Sequence, residues 1–169
     1  FTAQRFAQRR GQVETALRRQ NDYLNSLHDT ALALVNRLEL DTLLDSIPTR
    51  AGVLAGTPHG YIDLVLPEHS VMEQKVGRGA FSEFVGYRVR PGEGLSGKVW
   101  QTGQPLAIND YQTWPDHLPA VATIIHAIVG VPLKSGGQTI GVIGLGHTEP
   151  GRAFGPEQIE VLSRFAEMA

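Results

Sequence analysis

Three glycines at close spacing, six histidines and two well-placed aspartates are the residues of this chain that could do chemistry. Gly92, Gly94 and Gly97 have the spacing with which a backbone approaches a pyrophosphate at a helix N-terminus. That use needs a buried parallel strand before the glycines. The preceding segment, FVGYRVRPG, instead alternates Arg88 and Arg90 with Val89, as a half-solvated antiparallel strand does. No acidic residue closes a second parallel strand about twenty residues later, as a dinucleotide site requires. The glycines are therefore read as turn formers, ending a strand and opening a helix.

The histidines do not form a metal cage in sequence, since no His-x-x-His or His-x-x-x-His pair exists. His28 is expected on the solvent face of a long helix, and His59, His69 and His147 fall near strand ends. His117 and His126 fall in or beside the loop and short helix of residues 110–126. Ser96 has no base that the chain order brings within reach, so no Ser/His/Asp arrangement is expected. Cysteine is absent, which removes disulfides, thiolate catalysis and thiolate metal sites together. Asp63 sits in the alternating segment Gly60 to Leu66, where Ile62, Leu64 and Leu66 share one face and Tyr61, Asp63 and Val65 the other. A carboxylate buried on that second face needs a partner, either a ligand donor or an internal group such as Tyr87, His117 or His126. Asp110 is read first as a turn or cap carboxylate.

The elements that would position these groups follow from periodicity. Ala3, Phe6, Arg10, Val13, Leu17, Gln20, Leu24, Leu27, Ala31, Leu34 and Leu38 recur at alternating steps of three and four. This is the seam of a left-handed coiled coil, with Arg10 and Gln20 as register-fixing polar positions. A cap at Leu40-Asp41 would begin a second helix running to Gly56, kinked at Pro48. Strands are expected over 60–66, 71–76 and 84–89, the first two joined by the Pro67–Ser70 turn. Leu95, Val99 and Trp100 mark a helix closed by Gly103, followed by a strand from Leu106 to Ile108. A polar loop, Asp110 to Pro119, leads to a short helix over 120–125. Strands 127–133 and 139–146 flank Ser135-Gly136-Gly137, a hairpin signal. The last helix, 154–169, opens near Pro156. Hairpin strands in runs with segregated helices mean α+β with an antiparallel sheet.

The segment Gly92-Glu-Gly94-Leu-Ser-Gly97, Thr102-Gly103-Gln-Pro105 and Asp110 resembles the hallmark of the GAF family of sensory domains. The Val131-Pro132-Leu133 and Gly141-Val-Ile-Gly144-Leu pair and the closing Phe154 to Glu157 entry recur in the same order. The resemblance spans roughly Asp41 to Ala169. It implies a profilin-like three-layer α/β/α fold with a central antiparallel sheet of about six strands. Residues 1–38 would be a signalling coiled coil, 39–169 the GAF domain, and helix 155–169 would continue into an output domain. The resemblance further implies a regulatory rather than catalytic part, with the ligand between the sheet and the 110–126 segment. Tyr61, Asp63, Tyr87, Asp110, Trp114, His117 and His126 would supply contacts, with apolar walls from Leu95 and Ile108. No catalytic residue and no metal ligand are expected. Without Cys neither a covalent bilin nor the methionine sulfoxide reductase chemistry of some members is expected. The Asn-Lys…Phe…Asp-Glu signature of cyclic-nucleotide binders is missing. Haem would need an axial His that only His117 or His126 could give, and is not expected.

Partners follow from charge and pattern. The first twenty residues hold five Arg against Glu14, while the whole chain carries −2. No nucleic-acid partner is expected, and the basic helix is read as a solvated face. A homodimer through the N- and C-terminal helices would bury the seam. The longest apolar run, Val121 to Leu133, is too short to span a bilayer, and the arginine-rich start has no secretory core. The chain is expected to be a cytoplasmic piece of a longer two-component protein, such as a sensor histidine kinase that is itself membrane-associated.

Overall fold

The computed structural model describes residues 2–168, without the side chain of Met168. The expected end of the last helix at Ala169 lies outside the described residues. The chain divides into two compact units, Phe1–Thr42 and Leu43–Ala169. Helix α1 covers Thr2–Ala55 without interruption. The expected break at Leu40-Asp41 does not occur, because neither residue is a glycine or proline and Asp costs a helix interior only a few tenths of a kcal/mol. Within the first unit, Phe6, Val13, Leu17, Leu24 and Leu27 are exposed. Thr15 and Thr30 hydroxyls donate to the carbonyls four residues back, Gly11 and Ser26, at 2.8 Å each. Among the described residues no helix is long and apolar enough to cross a membrane.

The second unit is built on a six-stranded antiparallel sheet in the order β3-β2-β1-β6-β5-β4. The strands are β1 His59–Leu66, β2 Val71–Arg78, β3 Arg88–Val89, β4 Leu106–Ile108, β5 Ala127–Ser135 and β6 Gln138–His147. Helices α2 Gly94–Thr102, α3 Pro119–Ala122 and α4 Pro156–Met168 complete it. Gly136 and Gly137, with φ of 58° and 79°, close the β5–β6 hairpin in the left-handed conformation that two-residue turns demand.

The two faces of β1 separate as the alternation requires. Ile62 and Leu64 join Ile47, Ala51, Ile143 and Leu162 in a core against the end of α1 and α4. Tyr61 and Val65 join Met72, Phe81, Leu95 and Tyr111 in a second core beneath α2. Two features escape simple alternation. The β1–β2 pairing slips between Ile62 and Asp63, which sets Asp63 opposite Gln74 and leaves Lys75 without a partner. This bulge turns Val76 into the first core although Gln74 lies with the second. The expected strand over 84–89 shrinks to Arg88–Val89, and a 3₁₀ helix, Gly79–Phe84, precedes it. Gly77 accounts for this, since a Cβ there would collide with the Phe81 carbonyl, so only glycine lets the chain fold back so tightly. The short helix also ends earlier than expected, at Ala122, and the chain turns through Ile125 before β5.

Helix ends carry their own chemistry. Gly103 caps α2 at φ 67°, its N–H donating to the Val99 carbonyl at 2.8 Å. Pro156 opens α4, and the Gly155 N–H donates to Gln158 Oε1 at 2.7 Å, one half of a capping box. Asn109 clamps the approach to α4. Its Oδ1 accepts from the Phe154 N–H at 2.8 Å and its Nδ2 donates to the Phe154 carbonyl at 3.2 Å. Replacing Asn109 with Ala should lower stability by about 1–2 kcal/mol, the ordinary worth of two such bonds. Urea unfolding should show the midpoint falling with an unchanged slope.

Candidate functional site

Beneath α2 the second core is not completely filled. A cavity of about 40 Å³ remains, room for roughly three waters. Its floor is the sheet, with Tyr61 and Asp63 from β1, Gln74 from β2 and Val89 from β3. Leu95 and Ser96 of α2 form the roof. Phe81, Phe84 and Tyr87 wall one side, and Tyr111, Leu118 and Val121 the other. Glycines on the floor make the space. A Cβ on Gly130 would overlap Leu95, and one on Gly144 would fall inside the Tyr61 ring.

Polar groups converge inside this apolar shell. The Ser96 hydroxyl donates to the Tyr61 hydroxyl at 3.1 Å. Gln74 Nε2 donates to the Phe81 carbonyl at 2.7 Å, tying the 3₁₀ helix to the sheet. The Tyr111 hydroxyl accepts from the Leu118 N–H at 2.8 Å, and burial pushes its pKa up to about 12. Asp63 is 7% exposed, and among the described residues it forms no ion pair. Burial raises its pKa to about 7, with the neighbouring Ser96 hydroxyl opposing the shift. Desolvation wins because one hydroxyl cannot replace the water shell of a carboxylate. Tyr61 is raised well above its usual value, first by burial and then by Asp63.

Of the residues singled out from sequence, Tyr61, Asp63, Tyr87 and Leu95 line the cavity. Ile108 packs at the edge of the same core, as does Trp114, whose ring centroid lies 5.8 Å from that of Tyr111. His117 Nδ1 lies 2.6 Å from the Trp114 carbonyl, and its ring meets the edge of Tyr111. It acts on the wall from behind. Asp110 is exposed. His126 holds the loop through its backbone, its carbonyl accepting from the Tyr111 N–H at 2.8 Å and its N–H donating to His147 at 2.9 Å. Ser96 and Tyr61 are thus the polar groups beside Asp63, with the Ser96 hydroxyl hydrogen given to Tyr61, and among the described residues no side-chain hydrogen bond joins Asp63 to Tyr87, His117 or His126. Gln74, Phe81, Ser96 and Tyr111 were not expected at the site. The alternation of Tyr61 and Asp63 pointed to this face, but nothing in the spacing placed the 3₁₀ helix over it.

A second polar cluster lies at the ends of β1 and β6. The Ala80 N–H donates to His59 Nδ1 at 2.8 Å, so that nitrogen is unprotonated and Nε2 carries the hydrogen towards Thr148 Oγ1 at 3.4 Å. His147 is buried and stacks on Phe154 with centroids 4.2 Å apart. Burial lowers the pKa of both; nearby Arg152 adds to this at His147, and Glu149 opposes it at both. Groups lowered in this way contribute stability above their ordinary pKa of about 6.5 that is lost as pH falls. Acidification below that ordinary value should therefore loosen the Ala80 contact as His59 takes up a proton. Amide exchange at Ala80 should rise with acidification, after correction for intrinsic rates. Among the described residues no group of three or more His, Asp or Glu could hold a metal ion.

The family model described as GAF domain matches residues 37–169. No curated protein matches the sequence. Among solved structures, the GAF domain of a phosphoenolpyruvate-protein phosphotransferase from Coxiella burnetii is 20% identical. The match covers 76% of this chain and 80% of that one, with a TM-score of 0.66. The corresponding domain from Acinetobacter is 17% identical over 74% and 75% of the two chains, with a TM-score of 0.64. Free methionine-R-sulfoxide reductase from Neisseria meningitidis, solved with its substrate, is 21% identical over 73% and 75%, with a TM-score of 0.59. At these identities the likeness is one of fold.

Proposed function

Since the chain belongs to the GAF domain family, we propose that it is the ligand-sensing regulatory domain of a multidomain signalling protein of the sensor histidine kinase type. It acts in the cytoplasm as a homodimer and has no catalytic role of its own. The observation that carries this reading is Asp63. A buried carboxylate without an ion partner, aimed into a cavity with aromatic walls, is a poor way to fill a core and a good way to hold a ligand. The reductase branch of the fold is set aside because this chain has no cysteine. Native mass spectrometry of protein purified from its own host should show a retained small molecule. A bare polypeptide mass that persists across cell extracts and metabolite pools would overturn the reading.

The small size of the cavity favours a second reading, a ligand-free dimerisation and relay module whose side chains occupy the pocket. Both readings share the dimer. Exposed Leu17, Leu24, Leu27, Leu34 and Leu38 lie on the heptad seam of α1, and a second copy is the partner that a 3.5-residue repeat fits. Ligand-dependent packing of residues 10–38 and 154–169 across the dimer would carry the signal to adjoining domains. Replacing Leu24 and Leu27 together by Asp should convert the dimer to a monomer at micromolar concentration, because the seam would bury unpaired charges. Light scattering that finds the unmodified chain monomeric would remove the dimer from both readings.

A further inference from the structure

We propose that the cavity under α2 is a cation site, taking a small alkylammonium group of about three heavy atoms, the room of its three waters, between Asp63 and an aromatic cage. The proposal rests on the ligand-sensing reading and gives it a chemical class. Five of the lining residues are aromatic: Tyr61, Phe81, Phe84, Tyr87 and Tyr111. Four of them stand in two pairs, and Tyr111 leans on Trp114 outside the cavity. Tyr61 and Phe81 have centroids 4.6 Å apart at 49°, and Phe84 meets Tyr87 edge-on at 6.2 Å. Aromatic faces present negative potential, which attracts a weakly hydrated organic cation within about 6 Å of the ring.

The charge of the lining selects the same sign. Its ionisable groups are Asp63 and the phenols of Tyr61, Tyr87 and Tyr111; the lining holds no Lys, Arg or His. An anion would enter beside a carboxylate with no cation to receive it, and a phosphate or carboxylate ligand would meet repulsion in a poorly solvated space. A neutral ligand would leave Asp63 desolvated and protonated. An ammonium group alone gives the carboxylate a counter-charge and its hydrogen bond, while its methyl groups meet the rings. Gln74 and Ser96, the remaining polar side chains, are already bonded to the Phe81 carbonyl and to Tyr61. Entry is available at Tyr87, which is 40% exposed, next to half-buried Phe84.

The groups that face Asp63 also fix how binding depends on pH. From β1 there is Tyr61, from β2 Gln74, from α2 Ser96 and from the 110–118 loop Tyr111, with His117 behind it. Burial raises the Tyr61 phenol well above its usual value and that of Tyr111 to about 12, so neither ionises near neutrality. Asp63 is thus the group that titrates inside the cavity, near pH 7. Affinity for a cation should fall about tenfold per pH unit below that point and level off above it.

The test is a chemical-shift titration of the full chain at pH 8 with dimethylammonium chloride, ethanol and sodium formate, three probes of three heavy atoms each, at constant ionic strength. Dimethylammonium should give saturable shifts centred on the rings of Tyr61, Phe81, Tyr87 and Tyr111. Asp63→Asn should weaken it at least tenfold, and Tyr87→Leu, at the mouth and tolerant of change, roughly three- to tenfold. Equal or tighter binding of ethanol or formate, or full affinity in Asp63→Asn, overturns the cation assignment and leaves a ligand site standing. Silence from all three probes at the cavity overturns the cation assignment, and the sensing reading falls with it only if native mass spectrometry also finds the bare polypeptide.

Discussion

Asp63→Asn should be more stable than the parent chain at pH 8, and the two should converge near pH 4. The carboxyl is protonated below its unfolded pKa in both folded and unfolded chains, so there the amide and the acid are near equivalents. Between the usual aspartate value and about 7, the folded state holds a proton that the unfolded state has released. Stability therefore falls as pH rises through this window, by about 1.4 kcal/mol per unit. Above pH 7 the folded chain carries the buried charge and the loss levels off at about 4 kcal/mol. That is a large share of the 5–15 kcal/mol typical of a domain. The histidine pair tilts stability the opposite way below pH 6.5, so the prediction concerns the difference between variant and parent. Urea midpoints for both, measured from pH 4 to pH 9, decide it. A difference that is flat across the range would mean that Asp63 is solvated or paired.

Gly144→Ala should lower stability by about 3 kcal/mol or more, at the upper end for overpacking a core. Tyr61 and Gly144 are directly paired between β1 and β6, and the phenol ring lies over the glycine so closely that a methyl group has no place. The ring has nowhere to retreat. Phe81 packs against it with its ring tilted at 49°, and Ser96 holds its hydroxyl. The substitution must expel Tyr61 from the cavity floor and break that hydrogen bond. The decisive measurement is a double-mutant cycle. In a Tyr61→Ala background the added methyl should be tolerated, leaving a coupling of about 2–3 kcal/mol. Additive losses would show that Gly144 is needed for another reason.

The sequence made the layered arrangement legible because alternation is a local signal. Ile62 and Leu64 against Tyr61, Asp63 and Val65 sufficed to separate the two faces of β1. Gly103 and the Gly136-Gly137 turn announced themselves by conformations that other residues avoid. The cavity was less legible. Its Phe81 wall depends on Gly77 folding the chain back, and its floor on a bulge at Lys75 that reverses the facing of β2. Both are set by pairing with distant strands, not by neighbours in sequence. His117 and His126 drew notice because the 110–126 segment closes the pocket that the family resemblance implies. The loop uses His126 for its backbone and places Tyr111 on the wall, and a phenol in a polar loop gives no periodic signal. The helix break expected at Leu40-Asp41 failed for a simpler reason: a cap residue interrupts a helix only where the chain has cause to leave it.

The sheet order has a consequence for how the chain comes to be folded. The central pairing joins His59–Leu64 to Gly141–Gly146, so the two middle strands are separated by nearly the whole domain. During synthesis β1 is made early and must wait for β6 before it has both neighbours. Closing so long a loop is entropically expensive, and the contacts that repay it arrive last. Until then β1 and β2 form an isolated hairpin with an apolar face and an open edge, the kind of intermediate that sticks to other chains. The α1 helix needs only local hydrogen bonds and is made first. In a crowded polysome, where many copies emerge side by side, the dimer proposed above would let the seam find a second nascent chain before either domain has closed.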